Sequence, residues 1–546
     1  MNKACPTVRI YWTFLLGLFS VNAVALTDGY ILAGAYSGTS TVLLDKNGEV
    51  VWEWKHGTLP DSLNGYSAYL LENGHLLRSS QVPNSRDVKV PPNAAPRQGI
   101  ISELDANGTV VWTYTLANDT FMLHHDMKPL PPRNGATEGT ILATTFSLHT
   151  RNEMKEVGVD TTLLKTGSNF ILAEKIIEIK KVYPSGGEII WEWSIFDHVT
   201  PGDSAALHPE KISGSIVSAL FSGQWVHLNG LDYSPTRDLI VFTSRIFSEL
   251  YVLDHSTTTE EAAGSTGGRH GKGGDILYRW GNPANYGATG GVTIDCLHSP
   301  TWIPEGYKGA GNILFFHNNL DAGHSEVIEI NPPLDAEGKF VKESDMPFGP
   351  ETPYWKYAPE SDFFSQAMSS TMRMPGAEGH TIIHEAYPPA AVDPSGGPGF
   401  SMSTDSRIRE VTSDGTIVDS FSLTALKSGG GGMMMAFNPA KIMYYPGNYA
   451  GVANLMTAVR SPEGKMHVGV SSTGPAVRRF SGKLEFSGLD GEVVSLVNLR
   501  GECTVSVRSR NAWYTLPTDR IPTGVYCVMI AKRGVGTVLQ KITIAR

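Results

Sequence analysis

One phrase recurs about six times along the chain: an acidic or polar turn with glycine, then an apolar strand closing on tryptophan. It first reads Leu43-Leu44-Asp45-Lys46-Asn47-Gly48-Glu49-Val50-Val51-Trp52-Glu53-Trp54. It returns as Glu103-Leu104-Asp105-Ala106-Asn107-Gly108-Thr109-Val110-Val111-Trp112. Weaker copies end at Trp191-Glu192-Trp193, Tyr278-Arg279-Trp280 and Tyr354-Trp355-Lys356-Tyr357, and a last copy over 410–418 has lost its tryptophan. Trp52, Trp112, Trp191, Trp280 and Trp355 stand 60, 79, 89 and 75 residues apart. Asn-Gly between apolar runs marks a hairpin, because both residues tolerate positive φ. Hairpins at such intervals predict a β-propeller, whose chemistry gathers on the central axis.

Each phrase is followed by a second unit of polar residues, an apolar stretch, a turn and an apolar strand. Examples begin at Tyr66, at His124-His125-Asp126, at His227-Leu228-Asn229, at His298-Ser299-Pro300 and at Gln366-Ala367-Met368, with a degenerate sixth over 433–445. A phrase and the unit after it read as two hairpins, hence one four-stranded blade. Six blades fill roughly residues 28–458. Segments 154–173, 257–274, 390–399 and 429–432 break the rhythm and read as loops on one face.

The numbers for the whole chain agree with an all-β globular protein. Among 546 residues, 58 Gly and 33 Pro call for many turns, and 41% hydrophobic with 18% charged residues excludes a disordered chain. A net charge of −10 excludes the basic surface that nucleic acid needs. Lys3 and Arg9 flank an apolar run over 10–21, and Ala23-Val24-Ala25 is a small-x-small cleavage site, so 1–25 reads as a signal peptide. No later segment is apolar enough to span a bilayer. The mature chain is therefore expected outside the cytoplasm, extracellular or at the cell surface, with the periplasm as the alternative.

Cys5 leaves with the signal, Cys503 and Cys527 are close enough in sequence to pair, and Cys296 is then odd. No Cys/His spacing suggests zinc, and neither metal nor cofactor is expected. Short alternating strands after about residue 465 predict a small C-terminal β-sandwich. The expected organisation is a signal over 1–25, a six-bladed propeller over 26–464 and the sandwich over 465–546.

Candidate site residues come from the phase of the repeats. The innermost strand of each blade lines the axis, so polar residues at one phase of several blades converge. That phase carries His124 and His125, His227 with Asn229, His298, and Gln366. Imidazole can attack as a nucleophile, carry a proton, or stabilise charge near neutral pH.

Several of these phrases together resemble the bacterial arylsulfotransferase family. They are the tryptophan-ended turns, Gln224-Trp225-Val226-His227-Leu228-Asn229 leading to Thr243-Ser244-Arg245, Trp280-Gly281-Asn282-Pro283 leading to Leu297-His298, and Asn318-Asn319 after Gly311-Asn312-Ile313-Leu314. The resemblance spans about 28–458. It implies a six-bladed propeller that moves a sulfuryl group from an aryl sulfate ester to a phenol, without a nucleotide donor and through a sulfated histidine. It implies His227 and His298 as site histidines and Arg245 as a charge stabiliser; Asn229, Asn318 and, from its phase in the repeats, Gln366 are expected to bind substrate or orient the rings.

The chain departs from the family pattern at two places. No arginine follows Phe316-His317-Asn318-Asn319, and the repeat Ser365-Gln366-Ala367-Met368-Ser369-Ser370-Thr371 has no histidine where the resemblance implies the nucleophile. The nucleophile is therefore unassigned, with His124 or His125 as stand-ins. A noncatalytic ligand- or polymer-binding propeller and a hydrolase with water as acceptor are the alternative readings. Residues 516–526, Leu-Pro-Thr-Asp-Arg-Ile-Pro-Thr-Gly-Val-Tyr, resemble the C-terminal sorting domain of type IX secretion cargo and imply secretion machinery as a partner.

Overall fold

The computed structural model describes residues 29–459, apart from 57–62, 83–97, 134, 163–169, 203–207, 215–222, 291–293, 320–321, 344–345, 377, 389–404 and 424–437, together with the strands between 476 and 544. The expected signal peptide and the loops 390–399 and 429–432 lie outside the described residues. The chain divides into two compact units, Met1–Ser461 and Pro462–Arg546.

The first unit is built on six four-stranded antiparallel sheets, the blades of a propeller. The first blade runs Tyr30–Ala33, Ser40–Leu44 and Val50–Lys55, and its inner strand is Met443–Tyr445 from the far end of the unit. The inner strands of the second to sixth blades are Asn64–Leu70, Phe121–Pro129, Leu228–Ser234, Leu297–Trp302 and Ser370–Arg373. Ile31 pairs with Tyr444, so strands from the two ends of the unit close the ring by main-chain hydrogen bonds. This corrects the grouping of repeats. Each tryptophan phrase completes the blade of the unit before it, and the first phrase is completed by the degenerate last unit. The shift follows from ring closure, because an open first blade would leave an unpaired strand edge.

The recurrent tryptophans have a physical reason. Trp54 Nε1 donates to the Asp105 carbonyl at 3.0 Å, and Trp112 to Gly186 at 2.9 Å. Trp193 donates to Gly274 at 2.8 Å, Trp280 to Pro350 at 2.9 Å and Trp355 to Ser413 at 2.7 Å. Each indole reaches from the outer strand of one blade to an outer turn of the next. The sixth blade has no such tryptophan and sets Phe421 against Gly48 of the first blade, where an added Cβ would meet the ring at 3.1 Å. Trp112→Phe leaves the Gly186 carbonyl without this donor and shrinks a buried ring. A loss of about 1–3 kcal/mol is expected in urea unfolding. An unchanged midpoint would show that the indoles do not stitch the ring.

The insertions do not share one face. In a four-stranded meander, the start of the inner strand and the turn between second and third strands lie at the same end. The insertion around Arg151–Glu156 joins second to third strand, at the end where the histidine repeats begin. The insertion with helix Thr259–Ala262 joins third to fourth strand and lies at the opposite end.

The second unit holds a three-stranded and a four-stranded antiparallel sheet. Cys503 and Cys527 both pair with Val497, one on each side of its strand. Two strand spacings separate them by about 9–10 Å between Cα atoms. A disulfide needs less than about 7 Å, so a Cys503–Cys527 bond, left open by the sequence, is not compatible with this register.

A histidine cluster at the propeller axis as candidate active site

The inner strands are interrupted where the candidate residues sit. Register breaks fall between Asn64 and Ala68, Leu123 and Met127, Leu228 and Gly230, and His298 and Thr301. Within two of these breaks His125 has φ 44° and Ser299 51°, and His227, one residue ahead of a third, has φ 58°. Non-glycine residues seldom adopt this left-handed conformation, and bulges re-aim side chains beside active sites.

Histidines from three consecutive blades are thereby gathered. The rings of His125 and His227 meet edge to face with centroids 4.5 Å apart. The Tyr66 ring of the second blade lies with its centroid 5.3 Å from that of His125, and its buried hydroxyl has no hydrogen-bond partner among the described residues. His298 and the Arg245 guanidinium lie close enough to bear on the charge of both His125 and His227. Arg245 Nε donates to Cys296 Sγ at 3.0 Å, while its main-chain N–H donates to the His227 carbonyl at 3.1 Å. The odd cysteine is thus a buried prop for the arginine.

The surroundings fix which ring nitrogen is available. Asn318 Nδ2 donates to the Ser365 carbonyl at 2.7 Å, so its Oδ1 faces His298 Nδ1 at 2.5 Å. His298 therefore carries its proton on Nδ1 and keeps a lone pair on Nε2. Gln224 Oε1 plays the same part for His227 Nδ1. Burial pushes His298 down to about 3 despite Asn318, and burial followed by the Arg245 charge holds His227 well below the ordinary imidazole range. Both rings are neutral at pH 7, the form that can attack an electrophile.

His124 sits behind the cluster. Its ring stacks on Phe146 at 3.7 Å, and its Nδ1 shares a hydrogen bond with His125 Nδ1 at 2.6 Å. Its Nε2 faces Glu174 Oε1 at 3.8 Å, and neither atom has a hydrogen-bond partner among the described residues. Burial takes His124 down to about 3 and Glu174 up to about 8, so both are neutral at pH 7 despite their opposite nominal charges.

The amides expected to bind substrate or orient the rings have intramolecular partners. Asn229 is buried, donates to the Leu297 carbonyl at 2.5 Å and accepts from Thr243 Oγ1 at 2.8 Å. Asn318 is spent on His298 and Ser365. Both amides hold the strands and rings of the site. Gln366 is half-buried ahead of the sixth inner strand, and the described contacts of the histidines do not include it. His384, on the returning strand of that blade, is buried beside Ser370 Oγ at 3.5 Å. Glu174 and Lys441 were not legible as site residues. Lys441 Nζ meets Asp126 Oδ2 at 2.7 Å and Tyr69 OH at 3.1 Å beneath the cluster. Among the described residues no group of His, Cys, Asp or Glu is arranged to hold a metal ion.

Burying neutral histidines has a consequence for acid stability. In the unfolded chain an imidazole takes its proton near pH 6.5. Folded His124, His298 and His384 take it only near 3. Below about 6.5 the unfolded state therefore binds more protons, and folding weakens by up to about 1.4 kcal/mol per pH unit for each such ring. Urea midpoints should fall steadily from pH 6.5 to 5. A flat profile over that window would contradict the neutral cluster.

No curated protein matches the sequence. Solved structures that are similar include a putative 6-phosphogluconolactonase from Bacteroides fragilis, at 10% identity over 77% of this chain and 98% of that one, with a TM-score of 0.32. The periplasmic gluconolactonase of Pseudomonas aeruginosa is similar at 10% identity over 77% and 99%, with a TM-score of 0.34. Hydrazine synthase of Kuenenia stuttgartiensis is similar at 13% over 55% and 67%, with a TM-score of 0.28. At these scores the likenesses say nothing about chemistry. A family model described as Arylsulfotransferase (ASST) matches residues 30–423, from the first strand of the first blade to the last strand of the sixth, with every candidate histidine inside. The chain belongs to the arylsulfotransferase family.

Proposed function

We propose that the protein transfers a sulfuryl group from an aryl sulfate ester to a phenol in two steps, through a sulfated histidine. The observation that carries the reading is the gathering of neutral His125, His227 and His298 with Arg245 at one end of the axis, inside the family match. The anionic ester is drawn by the arginine, which lowers the energy of the charge that builds on the sulfuryl oxygens. His298 is the nucleophile in this reading, because Asn318 fixes its proton on Nδ1 and leaves Nε2 free. Its lone pair forms the N–S bond as the S–O bond to the aryl group breaks, and the departing oxygen takes a proton. A phenol oxygen then attacks sulfur, gives up its proton, and the N–S bond breaks.

The experiment is incubation of purified protein with a chromogenic aryl sulfate and a second phenol, followed by analysis of both sulfur products. The new aryl sulfate should form and require the phenol. Release of inorganic sulfate at the same rate with or without phenol would identify a hydrolase. Tight ligand binding without turnover would identify a binding propeller.

The same proposal places the mature chain outside the cytoplasm, with 1–25 as the signal, 26–464 as the enzyme and 465–546 as a β-sandwich recognised by secretion machinery. The basic-apolar start of the sequence and the sorting-like stretch 516–526 support it. Deleting 465–546 should retain the protein in the cells that make it.

A further inference from the structure

We propose that Glu174 is a positioning residue that supplies a proton through His124 to His125, and so decides which aryl groups the site can expel. The inference rests on the sulfotransferase reading above. Its basis is the line of contacts from the third strand of the third blade to the cluster. Glu174 is fully buried and its Oε2 accepts the Leu228 N–H at 2.7 Å, with the His227 main chain also donating to the carboxyl. That leaves Oε1 facing His124 Nε2 at 3.8 Å, with neither atom in a hydrogen bond among the described residues, while the Thr145 carbonyl also lies against the His124 ring. The far side of His124 is joined to His125 Nδ1 at 2.6 Å, and Phe146 holds the intervening ring in plane. His125 then lies against His227.

One set of tautomers lets this order of contacts carry a proton. A protonated Glu174 Oε1 faces His124 Nε2, His124 Nδ1–H points to His125 Nδ1, and His125 carries its remaining proton on Nε2. Burial supports the starting state, since it keeps Glu174 protonated up to about pH 8. When the S–O bond breaks, the aryl oxygen takes the proton of His125 Nε2. His125 Nδ1 takes the proton of His124 Nδ1, and His124 Nε2 takes that of Glu174. The net change is one proton moved from Glu174 to the departing phenol. The carboxylate so formed is met by the N–H groups of His227 and Leu228. The acceptor phenol returns its proton along the same path. No oxidant, metal or further reactant is needed.

The test is a series of aryl sulfates assayed with one acceptor phenol, using the full chain and Glu174→Gln. The amide keeps the shape and the Leu228 contact but cannot pass on a proton. A 4-nitrophenolate leaves readily without protonation, whereas an unsubstituted phenolate does not. The loss of kcat with phenyl sulfate should therefore exceed the loss with 4-nitrophenyl sulfate by at least about tenfold. His124→Gln cuts the path at its middle and should steepen the series in the same way, which covers the case where Glu174→Gln does not fold. A uniform loss across the series in either folded variant would overturn the relay and leave Glu174 as packing. Wild-type protein inactive on every ester would instead overturn the sulfotransferase reading, and the relay with it.

Discussion

His298→Ala is expected to abolish sulfuryl transfer, with kcat falling by at least about 10³-fold. Removing a nucleophile deletes the covalent route, and in well-studied hydrolases such a loss reaches about 10⁶-fold. The fold should survive. His298 lies in a strand whose other contacts persist, with Leu297 held by Asn229 and Trp302 N–H donating to Asp232 at 2.8 Å. His227→Ala should also reduce transfer, by about 10²–10⁴-fold if it stabilises charge or moves a proton. The two variants differ in kind. The His227 variant should still become sulfated when mixed with donor, and the His298 variant should not. Sulfation of the His298 variant would move the nucleophile to another ring of the cluster.

The largest stability effect is expected at Lys441. Its ammonium is 4% exposed and meets the fully buried carboxylate of Asp126, 315 residues earlier in the chain. The carboxylate also accepts from the Leu231 N–H at 3.3 Å. The pair ties the approach to the ring-closing strand to the third and fourth blades. Lys441→Met leaves Asp126 buried without its cation and should cost about 3–5 kcal/mol, read from urea unfolding. Replacing both partners, as Lys441→Met with Asp126→Asn, should recover part of that loss, because the neutral amide needs no cation and its oxygen can still accept a main-chain N–H. A single variant as stable as the double would show that the ion pair does not secure the closure.

The propeller was legible because its repeats obey local rules. Asn47-Gly48 and Asn107-Gly108 are turns in any context, and the apolar runs after them alternate as strands must. Blade boundaries were not legible. The strand that settles them, Met443–Tyr445, is three residues long, and only its pairing with Tyr30–Leu32 defines its place. The role of the tryptophans was likewise hidden, since each indole bonds to a carbonyl of a different repeat. The histidines were found because they share one phase on successive inner strands. Glu174 was missed because it sits mid-strand in an ordinary apolar run, Ile171-Leu172-Ala173-Glu174, and only packing brings it to His124. Asn229 and Asn318 were legible as amides near the site, but not the carbonyls that their nitrogens meet, because those lie on other strands. The spacing of Cys503 and Cys527 suggested a bond that strand register forbids.

Two-step transfer requires a sulfated enzyme. The most direct measurement is rapid mixing of excess 4-nitrophenyl sulfate with the protein in the absence of phenol. A burst of one equivalent of 4-nitrophenol per chain is expected, then steady release only when phenol is added, with the sulfuryl group found on the peptide that contains His298. Release without a burst, unaffected by phenol and with no modified histidine, would contradict it.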